Sequence, residues 1–152
     1  MRLGFRLSAL GLRISDLRMT SPPLDSDISA VGRATAALLD AVNGSDVSGV
    51  LDVWADDGVL MPPHHPAVQG RVEIGRYFER LFQRSRFAFS FSSSQIEVCG
   101  GVAFERVDFT ASVHPLDGGP HKRDAGKGLH LYRRQPDGSW KLAMDIWNSD
   151  RT

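Results

Sequence analysis

The stretch VAFERVDFTASV, residues 102–113, alternates apolar and polar side chains, and WKLAMDIW, residues 140–147, repeats the pattern further along the chain. A period of two predicts β-strands in both places. Each stretch also contains a carboxylate, Asp108 or Asp145, within an otherwise apolar run. A carboxylate is costly to bury unless it is paired or functional, so these strands indicate a small-molecule site as well as a sheet.

The elements around these two strands indicate an α+β domain. Further strands are predicted at residues 59–61, 87–91, 96–98 and 128–134. Helical spacing of apolar residues predicts helices at 26–43, at 47–54 and directly after Gly70. Asp137-Gly138 predicts a tight hairpin turn. The three serines at residues 92–94 predict a strand end or a turn. Helices followed by a run of antiparallel strands are typical of the α+β class.

Composition excludes several classes of protein. The 152 residues contain 18 Lys+Arg and 18 Asp+Glu, and this zero net charge argues against a nucleic-acid-binding protein. No apolar run reaches the length of a membrane span. Cys99 is the only cysteine, so an internal disulfide and a paired-cysteine zinc site are excluded. We therefore expect a cytoplasmic domain without a metal or a cofactor, and without a nucleic-acid or membrane partner.

Residues 1–25 differ from the domain predicted at residues 26–152. Leucine and isoleucine recur there at helical spacing, with arginines between them. This pattern fits a membrane-surface helix or a targeting peptide. It equally fits an ill-ordered extension, because Gly4 and Gly11 weaken a helix, or a chain whose translation starts at Met19.

The two faces of the strand at 102–113 differ in chemistry. One face contains Val107 and Phe109 and is largely apolar, whereas the other contains Arg106 and Asp108. An apolar outer face needs a partner, so we expect the Val107 and Phe109 face to form a homodimer. The Arg106 and Asp108 face is then expected to look into the hollow between sheet and helices, together with Asp145.

The chain resembles the nuclear transport factor 2-like superfamily over roughly residues 26–150. The resemblance lies in Trp54-Ala-Asp-Asp-Gly58, in Gln69-Gly70-Arg71 and in the segment from Asp137 to Asp145. These motifs look most like the SnoaL-like and ketosteroid isomerase-like branch. The resemblance implies a cone-shaped roll of about three helices on a curved antiparallel sheet. Because this fold supports enzymes, binding proteins and assembly domains, it does not define an activity.

Three branches imply different chemistry for the carboxylates. Limonene-epoxide hydrolases carry Arg-x-Asp on one strand and Asp on the last, which implies Asp108 as acid, Asp145 as base and Arg106 as bridge. They also hold a water with Tyr and Asn, where this chain has Leu60-Met61-Pro62. Ketosteroid isomerases and SnoaL-type cyclases instead imply proton transfer by a single carboxyl group, for which Asp108 or Asp145 could serve.

The leading hypothesis is cofactor-independent acid/base catalysis on an apolar carbonyl or polycyclic substrate. A carboxylate among aromatic side chains is poorly solvated, which makes it a better base near neutral pH. The alternatives are a non-catalytic ligand-binding or assembly domain, in which the polar groups only maintain the shape, and an epoxide hydrolase-like enzyme. The expected substrate-binding residues are Trp54, Met61, Tyr77, Phe78, Phe104, His130, Tyr132 and Trp147.

Overall fold

The computed structural model describes residues 24–150. The helices are α1 (Leu24–Asn43), α2 (Val47–Val53) and α3 (Arg71–Arg84). The strands are β1 (Trp54–Met61), β2 (Val68–Gln69), β3 (Ser85–Cys99), β4 (Val102–Pro115), β5 (Lys122–Arg134) and β6 (Trp140–Ser149). The predicted N-terminal helix falls within residues 1–23 and lies outside the described residues, whereas Leu24 and Asp25 already belong to α1. No helix between residues 24 and 150 has the length and apolar character to cross a membrane.

The six strands form one sheet in the order β2-β1-β6-β5-β4-β3, with the three helices packed against it. This arrangement confirms the predicted α+β cone. One strand pair differs from the expected antiparallel sheet, because β1 runs parallel to β6. A parallel pair needs a long connection between its strands, and α3 and the strands β2 to β5 provide it here.

β3 is one long strand, whereas the sequence predicted two strands separated by a serine turn. It pairs with β4 along its whole length, and the register shifts between Phe91 and Ser93. A shift of one residue turns the following side chains to the other face of a sheet. Before the shift Phe91 is paired with Phe109, and after it Ser94 is paired with Val107. Odd-numbered residues of β3 therefore face the helices before the shift, and even-numbered residues face them after it.

The two faces of β4 are inverted relative to the prediction. Val107 and Phe109 are buried on the inner face, and Glu105 lies between them and Ala103. Arg106 is exposed on the outer face. The expected outward position of Val107 and Phe109 is therefore wrong. The helices present an apolar stripe to the sheet, and the more apolar face of the strand is the one that covers it.

Helix α1 is attached to the sheet near both of its ends. Near its start, the buried Asp27 accepts hydrogen bonds from Arg134 and from Trp140 Nε1, the latter at 3.3 Å. At its end, Asn43 Nδ2 donates to the carbonyl of Phe89 at 2.9 Å, and the Phe89 amide donates to Asn43 Oδ1 at 2.7 Å. These contacts attach α1 to β5 and β6 near its start and to β3 at its end.

Close packing against β5 requires a glycine at position 126. A Cβ atom there would lie 2.1 Å from the carbonyl oxygen of Asn148 and 2.7 Å from the ring of Phe109. The backbone oxygen has little freedom to move within the sheet. Gly126 thus allows β5 and β6 to pair beside the Phe109 ring.

We expect Gly126→Ala to lower the free energy of unfolding by about 1–3 kcal/mol, as overpacking of a core does. Gly101→Ala is the matched control, because a Cβ atom at Gly101 meets nothing within 4 Å. Urea unfolding of both variants measures the difference. Equal unfolding midpoints for the two variants would contradict this packing argument.

Candidate functional site

Three ionisable residues form a row across the inner face of the sheet. Glu105 of β4 is paired with His130 of β5, and His130 is paired with Asp145 of β6. Residues directly opposite each other in neighbouring strands place their side chains on the same face. All three side chains are buried. The strand register thus produces a carboxylate–imidazole–carboxylate row beneath the helices.

The imidazole of His130 lies between the two carboxylates. Its Nδ1 is 3.0 Å from Glu105 Oε2, which is hydrogen-bond distance. Its Nε2 is 3.6 Å from Asp145 Oδ1, an ion-pair distance. One nitrogen is thus engaged by Glu105, and the other faces Asp145.

The Glu105 carboxylate has two further donors. Ser94 Oγ donates to Oε1 at 2.6 Å, and Thr35 Oγ1 donates to Oε2. Thr35 comes from the buried stripe of α1, and Ser94 reaches the inner face because of the register shift in β3. The hydroxyl of the fully buried Tyr132 lies 2.8 Å from Thr35 Oγ1 and completes the network. Both Glu105 oxygens are therefore satisfied.

The three groups perturb one another's ionisation. Burial alone would raise the pKa of Glu105, but the hydrogen bonds from His130, Ser94 and Thr35 outweigh it and lower that pKa. Burial alone would lower the pKa of His130, but the charge of Asp145 and the hydrogen bond to Glu105 raise it. Burial raises the pKa of Asp145. The charge of His130 lowers this pKa, but not enough to offset burial, and the charge of Glu105 raises it further. Such closely spaced groups titrate as one unit.

An apolar cavity lies above this row. Its volume is about 690 Å³ including its open mouth. Its walls come from α1, α3 and the strands β3 to β6: Leu38, Leu39, Val42, Tyr77, Phe78, Leu81, Phe89, Phe91, Val107, Phe109, Gly128, His130, Asp145 and Trp147. Among these lining residues, only Tyr77, His130 and Asp145 are ionisable. Burial, and then the charge of Asp145, raise the pKa of Tyr77, so its phenol stays protonated.

Gly128 lines the cavity next to the ionisable groups. It lies two residues before His130 in β5, in register between Val107 and Trp147. A Cβ atom there would lie 3.3 Å from a methyl group of Val107 and 3.4 Å from Cβ of Trp147. Because these neighbours pack closely around Gly128, a larger residue at this position would need them to move.

The structure places the predicted substrate-binding residues in three regions. Tyr77, Phe78, His130 and Trp147 line the cavity. Trp54 and Tyr132 are buried in the core and do not line it. Phe104 is 42% exposed on the outer face of the sheet, and Met61 pairs with Ile146, which lies on the same outer face.

The predicted catalytic group of Arg106, Asp108 and Asp145 is not assembled. Asp145 is on the inner face, whereas Arg106 and Asp108 form an ion pair at 3.1 Å on the outer face. The prediction that Arg106 and Asp108 point into the hollow is wrong, because the more apolar face of β4 is the one that covers the helices. The epoxide hydrolase arrangement, which needs all three groups together, is therefore absent.

Glu105 is the functional candidate that sequence reasoning missed. It is the single charged residue on the otherwise apolar face of β4. The sequence signal that could have revealed Glu105 was a single charge on a strand face that must be buried, because such a charge is usually paired or functional. Among residues 24–150, no cluster of His, Cys, Asp and Glu side chains has the geometry of a metal site.

Replacing His130 with Gln should change how stability depends on pH. A histidine whose pKa is raised by folding stabilises the protein fully below its unfolded pKa of 6.5, and the contribution is lost as pH rises through the folded value. We therefore expect the stability difference between wild type and His130→Gln to be largest near about pH 6 and to shrink at higher pH.

Urea unfolding at several pH values measures this dependence. His121→Gln is the control, because His121 is exposed just before β5 and its ring contacts His114. A stability difference for His130→Gln that grows with rising pH would contradict a pKa of His130 raised by its two carboxylate neighbours.

Comparisons with known proteins agree with this architecture. A solved ketosteroid isomerase-like protein from Erwinia carotovora is 25% identical, covering 84% of this chain and 99% of that chain with a TM-score of 0.75. A putative dehydratase of the nuclear transport factor 2-like family from Streptomyces avermitilis is 23% identical, covering 84% and 99% with a TM-score of 0.73. A hexachlorocyclohexane dehydrochlorinase from Novosphingobium barchaimii is 15% identical, covering 83% and 88% with a TM-score of 0.75.

The comparison with curated proteins gives no match. The model of the SnoaL-like domain family, in contrast, matches residues 35–143. The matched segment runs from Thr35 in the middle of α1 to Ala143 in β6, so it contains Glu105 and His130 and ends two residues before Asp145. With more than half of its length matched, the chain belongs to the SnoaL-like domain family.

Proposed function

We propose that the cavity binds a small apolar molecule and that Asp145 and His130 transfer a proton on it without a cofactor. The observation that carries this proposal is the position of these two ionisable groups together in an otherwise apolar cavity wall. A poorly solvated carboxylate is a stronger base than one in water, and an adjacent imidazole can accept or donate a proton near neutral pH.

The substrate class follows from the cavity walls. Phenylalanine, leucine and tryptophan side chains surround the space, so the body of the ligand is apolar. A carbonyl or hydroxyl oxygen on the ligand would reach the two polar groups at the wall. Removal of a proton next to a carbonyl, as in an isomerase or a cyclase, is the reaction that this pairing supports best. The related structures described as ketosteroid isomerase-like, dehydratase and dehydrochlorinase are compatible with this class.

A substrate need not be known to test proton transfer. The protein can be incubated in D₂O with a panel of apolar ketones, and deuterium uptake next to the carbonyl is measured by mass spectrometry. We expect the wild type to accelerate exchange for the ketones that bind. Asp145→Asn should slow it about 10²–10⁴-fold, the usual contribution of a general base, with fold and ketone affinity retained.

Asp108→Asn is the matched control, because this carboxylate lies on the opposite face of the sheet. We expect this variant to accelerate deuterium uptake by the ketones at the wild-type rate. The alternative class is a ligand-binding or assembly domain without catalysis. It is supported instead if bound ketones show no accelerated exchange, or if Asp145→Asn is as active as wild type.

We also propose a homodimer, through a different surface from the one predicted. Phe104, Leu129, Met144 and Ile146 are each more than 40% exposed. They lie on the adjacent strands β4, β5 and β6, and the pairing of Leu129 with Ile146 places them on the outer face. A two-fold interface brings the same patch together from both copies. Arg106 and Asp108 of opposite charge lie at its edge, which suits such self-association.

Leu129→Lys combined with Ile146→Lys should give monomers, because the substitutions place like charges against each other across the two-fold axis. Val72→Lys, at an exposed apolar position on α3, is the control and should leave the dimer intact. Analytical ultracentrifugation at micromolar concentration measures the difference. A wild-type protein that sediments as a monomer would rule out this interface.

A further inference from the structure

Glu105 supports the candidate site without lining it. It is 1% exposed and is absent from the cavity wall, yet it contacts His130, which does line the wall. Burying a carboxylate that no substrate touches is costly, so its role must lie in what it does to its neighbours. Its neighbours are hydroxyl groups and one imidazole nitrogen.

The hydrogen bonds of this network have a defined direction. An ionised carboxylate only accepts, so Ser94, Thr35 and His130 all donate to Glu105. Thr35 Oγ1 gives its hydrogen to Glu105, so it accepts from the Tyr132 hydroxyl 2.8 Å away. Burial raises the pKa of Tyr132, so this hydroxyl remains a donor. The Ser94 and Thr35 hydroxyls therefore donate to Glu105, and the Tyr132 hydroxyl donates to Thr35.

The Glu105 carboxylate also determines which nitrogen of the His130 ring carries a hydrogen. Because Glu105 accepts at 3.0 Å, Nδ1 of His130 must carry a hydrogen. In the neutral ring, Nε2 then has a free lone pair, and this atom lies 3.6 Å from Asp145 Oδ1. The titratable groups around the ring are Glu105 from β4, Asp145 from β6, Tyr132 from β5 and Tyr77 from α3.

We propose that Glu105 is the positioning residue that keeps Nδ1 of His130 protonated, so that the unprotonated Nε2 faces Asp145 at the cavity wall and can accept a proton from it. This inference rests on the proposed function. When Asp145 takes a proton from the ligand, the proton can pass to Nε2, and the resulting imidazolium is held between two carboxylates. The reverse transfer returns it to the ligand, so no proton is gained or lost.

Histidine ¹⁵N NMR tests this arrangement directly in the full chain. The signal of His130 is assigned by its loss in His130→Gln. On the alkaline side of its titration, we expect the wild-type ring to carry its hydrogen on Nδ1. We expect Glu105→Gln to lower the pKa of His130 by about 1–3 units, the effect of removing a nearby opposite charge, and to populate both tautomers.

Glu97→Gln is the matched control, since Glu97 is an exposed glutamate on β3. It should leave the tautomer and the pKa of His130 unchanged. A wild-type ring with its hydrogen on Nε2 would overturn the proposal, and this measurement does not depend on any variant folding. An unchanged His130 pKa in folded Glu105→Gln would overturn it equally.

The NMR test of Glu105 and the ketone-exchange test of proton transfer can fail independently of each other. If the NMR results are as expected but no bound ketone exchanges, Glu105 positions His130 in a protein that does not transfer protons. If ketones exchange through Asp145 and Glu105→Gln keeps the wild-type rate constant and pH profile, proton transfer stands and the positioning role fails. We expect Glu105→Gln to reduce the rate constant while ketone affinity is retained.

Discussion

The hydrogen bond between Glu105 and His130 is the contact on which the interior of this cone depends. A carboxylate buried to this degree is tolerated only with partners for both oxygens, and here α1, β3 and β5 each contribute one. Three elements that are distant in sequence must therefore be in place before the charge is compensated. The anchoring of α1 at Asp27 and Asn43 maintains that position.

The cavity and the polar row have a common origin in strand register. Pairing of β4, β5 and β6 aligns Glu105, His130 and Asp145, and the next row of the same strands contains Val107, Gly128 and Trp147. Gly128 in that row lines the cavity two residues along the strand from His130. A shift of one residue in either pairing would turn these side chains to the outer face and remove both features.

Much of the fold was predictable from periodicity, and the positions of the helices show why. The helices keep a 3.6-residue pattern that tertiary contacts reinforce, and all three were predicted close to their observed bounds. The parallel pairing of β1 with β6 was not predictable, because it depends on how the chain returns to the sheet. Nor was the register shift at Phe91, which follows from pairing with β4 and leaves no distinct mark in the local sequence.

The candidate site was predictable only in part, because the two faces of β4 were assigned the wrong way round. In sequence, Arg106 and Asp108 look like an ion pair that could be buried. At the surface, however, water solvates both charges, so such a pair does not indicate a buried site. Glu105 was not considered, although it is the one charged residue on the inner face of β4, because its partner His130 lies 25 residues away in sequence. Asp145 does lie on the inner face, as expected, but without Arg106 and Asp108.

The most direct test of the central claim is the position of a bound polar oxygen inside the cone. A crystal structure of the protein with a small two-ring phenol would show it. We expect the rings to lie between the aromatic cavity walls and the phenol oxygen to lie within hydrogen-bond distance of Asp145 or of Nε2 of His130. A phenol bound in the cavity with its oxygen directed away from both groups, or bound only on the outer face of the sheet, would contradict the account.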